Sequence, residues 1–238
     1  MLDGTATACG PVRYKGAGSG GTLNIRAKTL SGNGKISVDG TLGNIRWDNA
    51  YHGAGGRVAV RVTDQEIGTD GIWTRITSRG IPKQGYVDAN GVALSPDQDC
   101  SAVTVYLQGK SDGEGGGTIY VTSAGRSKTI EETPTYLPSG NTYGKTDDYS
   151  KAKLVIGTYG TVRLDQDGLK MNALSLVDDG RLDLAGKKLI VASANIDDRK
   201  IAAGTYQATD LSEVLLDSSE EQTGILFVTG TGTGILVR

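Results

Sequence analysis

Between Gly160 and Ser193 the chain runs four times through one short pattern: Gly-Thr-Val-Arg-Leu, Asn-Ala-Leu-Ser-Leu, Gly-Arg-Leu-Asp-Leu and Lys-Lys-Leu-Ile-Val. Each unit sets two aliphatic residues two apart, at Val162 and Leu164, Leu174 and Leu176, Leu182 and Leu184, and Leu189 and Val191. In an extended chain residues two apart share a face, so each pair points one way and the residue between them points the other. Asp183 is such a between-residue and is expected to face outward, tolerant of substitution. The linking pieces, Asp165-Gln-Asp-Gly168, Asp178-Asp-Gly180 and Ala185-Gly186, are turn sequences. Strands this short cannot each enclose a core, whereas stacked coils share one. The pattern predicts an all-β chain and, more narrowly, a β-solenoid in the form of a parallel β-helix with inserted loops.

A second, looser repeat precedes the ladder. Gly20-Gly-Thr-Leu-Asn-Ile25, Gly55-Gly-Arg-Val-Ala-Val60 and Gly116-Gly-Thr-Ile-Tyr-Val121 share the form Gly-Gly, any residue, aliphatic, any residue, aliphatic. Glycine there is expected to let the backbone turn through positive φ and let neighbouring coils stack closely. The unequal intervals imply loops inserted between coils, at 63–99 and 123–151. The chain thus divides into a glycine-rich half, 1–152, and a regular ladder with closing strands, 153–238, as one continuous domain. Residues 1–15 read as irregular apart from a short strand at 12–14. The segment 209–216 reads as the one helix, two turns with Thr209 as its N-cap.

Of 238 residues 36 are Gly, with 1 Phe and 2 Trp, which suits a narrow aliphatic core better than a roomy aromatic pocket. The balance of 25 basic and 27 acidic residues gives no global field for nucleic acid or a membrane surface. No apolar run is long enough for a spanning helix, and the N-terminus lacks the regions of a signal peptide. An intracellular protein and a segment of a longer secreted one both remain open; the Gly-, Thr- and Asp-rich composition favours the second, extracellular or at the cell surface. In an exported chain Cys9 and Cys100 would be able to close one disulfide; the alternative is two unrelated thiols.

Two stretches together carry a family resemblance. Gly16-Ala-Gly-Ser-Gly-Gly-Thr-Leu-Asn-Ile25 with Leu30-Ser-Gly-Asn-Gly-Lys-Ile-Ser-Val-Asp-Gly40 and Gly55-Gly-Arg-Val-Ala-Val60 resembles large glycine-rich surface proteins of bacteria. Leu184-Ala-Gly-Lys-Lys-Leu-Ile-Val191, Ile201-Ala-Ala-Gly-Thr-Tyr-Gln-Ala-Thr-Asp-Leu211 and Gly230-Thr-Gly-Thr-Gly-Ile-Leu-Val237 are similar to closing coils of autotransporter-like passenger repeats. The resemblance implies a secreted, right-handed parallel β-helix of pectin-lyase-like shape. It covers about two-thirds of the chain, in low-complexity motifs that speak to fold and location more than to activity.

No constellation of catalytic, cofactor or metal residues emerges from the sequence. Gly16-x-Gly18-x-x-Gly21 matches a dinucleotide fingerprint as a string, but a strand rather than the required helix follows it. His52 is the single histidine, which excludes a multi-histidine metal site. The doublets Asp147-Asp148, Asp178-Asp179 and Asp197-Asp198 read as solvated turn acids. The set expected of pectin-degrading hydrolases, paired Asp, then His-Gly, then Arg-x-Lys, is out of order here. Asp165-x-Asp167-Gly168 opens like a calcium loop without its later Glu.

The leading expectation is a non-enzymatic surface or filament module acting through shape and contacts between copies. The rivals are a polysaccharide-active β-helix, lyase or hydrolase, and a glycan-binding module. Tyr136, Tyr143 and Tyr149 are the candidate contacts to a surface polysaccharide. Ile225, Leu226, Phe227, Val228, Ile235, Leu236 and Val237 are the candidates for end-to-end self-association into an oligomer or filament. No nucleic-acid partner, membrane insertion or cofactor is expected.

Overall fold

Aliphatic side chains spaced by two dictate strands, and strands carry nearly all the regular structure in the computed structural model. It describes residues 2–9, 18–40, 53–67, 76–77, 103–122, 134–137, 148–157 and 160–230. In chain order the first strands are β1 (Thr5–Thr7), β2 (Thr22–Ala27), β3 (Lys35–Ser37), β4 (Arg57–Val62), β5 (Ile76–Thr77) and β6 (Val103–Gln108). Next come β7 (Thr118–Thr122), β8 (Thr135–Leu137), β9 (Lys153–Gly157), β10 (Thr161–Leu164), β11 (Leu169–Leu176), β12 (Arg181–Asp183) and β13 (Lys188–Ile196). The last are β14 (Arg199–Ile201), β15 (Gly204–Tyr206), β16 (Leu215–Leu216) and β17 (Ile225–Val228). The protein is all-β, rich in parallel pairs, and its sheets do not close into a barrel.

Outside β6–β7 and β13–β15, successive strands alternate between sheets. One long sheet has the order β15-β17-β13-β11-β9-β7-β6-β4-β2, while β1, β3 and β5 form a second sheet and β8, β10, β12 and β16 a third. Within the ladder foreseen from sequence the register is constant. Thr161 pairs with Arg181, Leu169 with Leu189 and Lys153 with Ala173, each partner 20 residues on. All eight aliphatic residues of the ladder are buried, none above 1% exposed.

β11 buries Leu169 and Met171, then exposes Asn172 and half-exposes Ala173, and buries Leu174 and Leu176. β13 slips phase in the same way, burying Leu189 and Val191, then Ala194 and Ile196. A phase slip in a period-two pattern turns the strand, because two successive side chains then face outward. Three aliphatic ladders result: Val162 and Leu164 on Leu182 and Leu184, Leu169 and Met171 on Leu189 and Val191, and Leu174 and Leu176 on Ala194 and Ile196.

The core is divided in two. Ile36, Val38, Val58, Val60, Val62, Val105 and Leu107 form one cluster, and the second begins at Ile119 and runs to Val228. The division falls at the turn between β6 and β7. These two strands are the antiparallel break in the long sheet, with Val105 opposite Tyr120 and Tyr106 opposite Ile119. Residues directly opposed in an antiparallel pair share a face. The inner side of the β2–β4–β6 stack is therefore the outer side of the β7–β17 stack. The sheet of β1, β3 and β5 covers the first core, and that of β8, β10, β12 and β16 covers the second on the opposite face.

Three expectations are corrected. The third Gly-Gly unit does not open a parallel coil but closes the β6–β7 hairpin, with Gly117 at φ 87°. Gly20 and Gly56 are needed for close approach rather than for positive φ. A Cβ on Gly20 would overlap the Val38 carbonyl oxygen, and one on Gly56 would overlap that of Gly21. The segment 209–216 is not a two-turn helix. A 3-10 turn at Ala208–Asp210 precedes a single turn closed from Leu215 N–H to Leu211, and Leu215–Leu216 then joins the third sheet. Residues 5–7, read as irregular, are β1; residues 12–14 lie outside the described residues.

Candidate functional site

Where the core changes face, one side of the long sheet is left with a step. The outer residues of β2, β4 and β6 lie in register: Thr22 with Arg57 and Thr104, Asn24 with Ala59 and Tyr106, Arg26 with Arg61 and Gln108. Three of these nine positions are arginine and none is acidic. Beside this face stands β8, the first strand of the third sheet. Residues 19–22, 54–57 and 134–136, with Thr104, line a cleft of about 310 Å³ at the step. The two Gly-Gly pairs, 20–21 and 55–56, contribute only main chain to its wall.

Tyr136 stands at the cleft with 45% of its surface exposed, the one large hydrophobic residue so exposed among those described. Its ring is flanked by Arg163, whose guanidinium carbon lies 5.9 Å from the ring centroid. Arg163 is held in turn by Asp183, with Nε donating to Oδ2 at 2.6 Å. Asp183 is 2% exposed and also accepts from the Ala185 N–H at 3.0 Å and the Ser218 N–H at 2.9 Å. It points away from the aliphatic core, as alternation requires, but it is buried rather than solvated, which corrects the expectation of a tolerant outward position. Burial works to raise the Asp183 carboxyl; the Ser218 N–H and Arg163 outweigh it and hold the group below the usual carboxylate range.

The Arg57 backbone N–H donates to the Gly21 carbonyl at 2.9 Å, while its side chain, exposed in the middle of the cleft's first row, makes no ion pair or hydrogen bond with any described residue. Further along the same face Arg61 donates to Asn24 Oδ1 at 2.9 Å and lies 4.8 Å from the Tyr106 ring centroid. Burial pushes the Tyr106 hydroxyl up, and that hydroxyl donates to the Gly116 carbonyl of the hairpin. The cleft thus combines an exposed aromatic ring, three threonines, glycine main chain and a cation whose side chain is paired with no acidic group among the described residues.

The chain matches no family model, no curated protein and no solved structure.

Of the tyrosines singled out from sequence, only Tyr136 is at the cleft. Tyr149 is half-buried against the second core, and Tyr143 lies outside the described residues. Cys9 is an exposed thiol held below the ordinary thiol range by hydrogen bonding with the Thr7 and Ser37 hydroxyls; Cys100 lies outside the described residues, as do His52 and Asp147. Leu226 and Val228 are 1% exposed, and β17 is hydrogen-bonded on both sides, by β13 and by β15. Leu226 to Val228 are therefore paired along both edges; Ile235, Leu236 and Val237 lie outside the described residues.

A second cleft of about 480 Å³ lies where two acidic turns stack. Asp178 donates its N–H to Asp197 Oδ1 at 3.3 Å, and Arg199 pairs with Glu213 at 3.2 Å. Asp167, the second acid of the calcium-like string, accepts from the Lys188 N–H at 2.8 Å and serves the turn. Among the described residues no group of three His, Cys, Asp or Glu side chains converges as a metal site would, and no helix is long and apolar enough to cross a membrane.

Arg57, Thr104 and Asp183 were not singled out as site residues. The signal for Arg57 was available: it stands at the position of Thr22 in the aligned Gly-Gly units, a charge directly after the glycines. Asp183 gave none, because its partners Ser218 and Arg163 are 35 and 20 residues away in the chain.

Proposed function

We propose that the protein is a structural β-solenoid module of a secreted or surface-exposed protein, non-enzymatic, acting through rigidity and contacts between copies. The observation that carries this reading is the constant 20-residue register across three aliphatic ladders. A ladder of that kind is extended by adding coils and buries its side chains only against neighbours above and below. It yields a stiff stack, with outward positions free to vary. Inserted segments fit the reading: β13 and β17 pair at a step of 37 residues, Lys188 with Ile225, and the extra length carries β14, β15 and β16. A right-handed winding is the hand implied by the family resemblance.

Contacts between copies have a place at the β2 end. β2 is the outermost described strand of the long sheet there, and Leu23 and Ile25 on it are only half-buried while Val58 and Val60 behind them are at 2% and 0%. An incompletely covered apolar end favours stacking on another surface of the same kind. Electron microscopy over a concentration series tests this. Rods or filaments that lengthen with concentration are expected, together with no turnover of acidic or neutral polysaccharides. A strictly monomeric protein at high concentration, or release of reducing ends or unsaturated products, would overturn it.

A further inference from the structure

We infer that the cleft beside β8 binds an acidic polysaccharide through its uronic-acid units, with Arg57 taking the carboxylate and Tyr136 the sugar ring. The cleft's volume is at the small end of the range for sites that hold a small ligand. Its chemistry narrows the ligand further. An exposed, guanidinium-backed tyrosine offers a flat surface with a polar edge, suited to the C–H face of a pyranose ring. Thr22 and Thr104, in register on either side of Arg57, bring hydroxyls that donate and accept, as a ring carrying several hydroxyls demands. Arg57 supplies a planar fork of donors matched to a carboxylate, with no described acidic group paired to it.

The cleft is not a closed chamber: it continues onto the outer face of β2, β4 and β6, where Arg26 and Arg61 add positive charge and Asn24 a further polar group. A polymer with an anionic group on successive units matches that face better than an isolated small acid. A neutral glycan would leave Arg57 without a counter-charge, and a flat aromatic acid would leave both threonines without partners.

Thr22 of β2 belongs to the cleft and β2 is also the apolar end, so binding is read by titration and assembly separately by microscopy. Calorimetric titration of the full chain with oligogalacturonate, and with a neutral gluco-oligosaccharide of equal length, is the test. Arg57→Gln, Tyr136→Ala and, as a control on an exposed β11 position, Lys170→Gln are compared after circular dichroism confirms each fold. Oligogalacturonate is expected to bind the wild-type chain with an affinity that falls with salt. Arg57→Gln and Tyr136→Ala should each weaken it roughly tenfold, the loss of one charge-assisted or ring contact; Lys170→Gln should leave it unchanged. No binding by the wild-type chain, equal binding of the neutral oligomer, or an affinity unmoved by both cleft substitutions would overturn the assignment.

Discussion

Leu182 and Asp183 are neighbours on β12, and what each meets across the coils decides how each responds to substitution. Leu182 is 0% exposed and stacks between Val162 and Leu215. Leu182→Asp places a charge where no partner exists and should leave the chain unfolded or aggregated. Asp183 gathers a guanidinium and two backbone N–H groups, so Asp183→Ala should cost roughly 2–4 kcal/mol by stranding those donors. Urea denaturation measures it, and a loss of only a few tenths would show that the donors are satisfied by water. Asp217 plays the same part at the next corner, accepting from Gly186 N–H at 2.8 Å and Gly224 N–H at 2.6 Å. Burial works to raise its carboxyl, but the Ser219 hydroxyl and these N–H groups hold it below the ordinary range. A carboxyl depressed by folding contributes stability that is present above its unfolded value, about 3.9, and is lost as pH falls through its folded value. Denaturation midpoints should therefore hold down to about pH 4 and fall below it. Asp217→Asn should make the acid limb shallower, and an unchanged limb would place the linkage elsewhere.

At the scale of elements, the ladder was legible because aliphatic residues two apart have one use in a strand, and all eight residues are buried as that use requires. The 20-residue step was also present in the letters, since Leu169 and Met171 anticipate Leu189 and Val191, and Leu176 anticipates Ile196. It was obscured because β11 and β13 each cross two faces and change phase midway. The hairpin was misread for a different reason. Gly-Gly followed by alternating aliphatics looks the same whether the strand returns parallel or antiparallel. The distance between strands held the answer: only residues 109–117 separate β6 from β7, and a parallel return needs a dozen or more. Turns give two substitutions of opposite sign. Ala185 sits at φ 48° ahead of Gly186 at 74°, a left-handed pair in which a Cβ is unfavourable. Ala185→Gly should raise stability by about 0.5–1 kcal/mol, the relief being partly offset by a freer unfolded chain. Gly56→Ala should lower it by about 1–3 kcal/mol, because the new methyl meets the Gly21 carbonyl and the Val38 side chain. Thermal unfolding of the two variants side by side checks the signs.

Across the whole molecule the consequence of the β6–β7 reversal is a change of inside and outside. On the solenoid reading, reversing strand direction alone would invert the hand of the coil. Moving the core to the other face inverts it again, so both stacks wind alike. No sequence rule foresees this, because it depends on which face of each strand finds a covering sheet. Alternation in Val103-Thr-Val-Tyr-Leu-Gln108 and in Thr118-Ile-Tyr-Val-Thr122 is equally good on its own. The reversal also crosses the two tyrosines. Tyr106, on the last strand of the first stack, packs against the second core, and Tyr120, on the first strand of the second stack, packs against the first. Each core is closed at its inner end by a ring carried on the other stack's strand. Substitution should then act across the hairpin. Tyr120→Ala should speed amide exchange in β4, where Val58 and Val60 lie in the first core, and leave β9 protected. Tyr106→Ala should speed exchange in β9, at Leu154 and Ile156 of the second core, and leave β4 protected. Hydrogen exchange resolved to these strands reads both. Loss of protection confined to each tyrosine's own stack, or shared equally by β4 and β9 in both variants, would show that the two cores do not change faces at the hairpin.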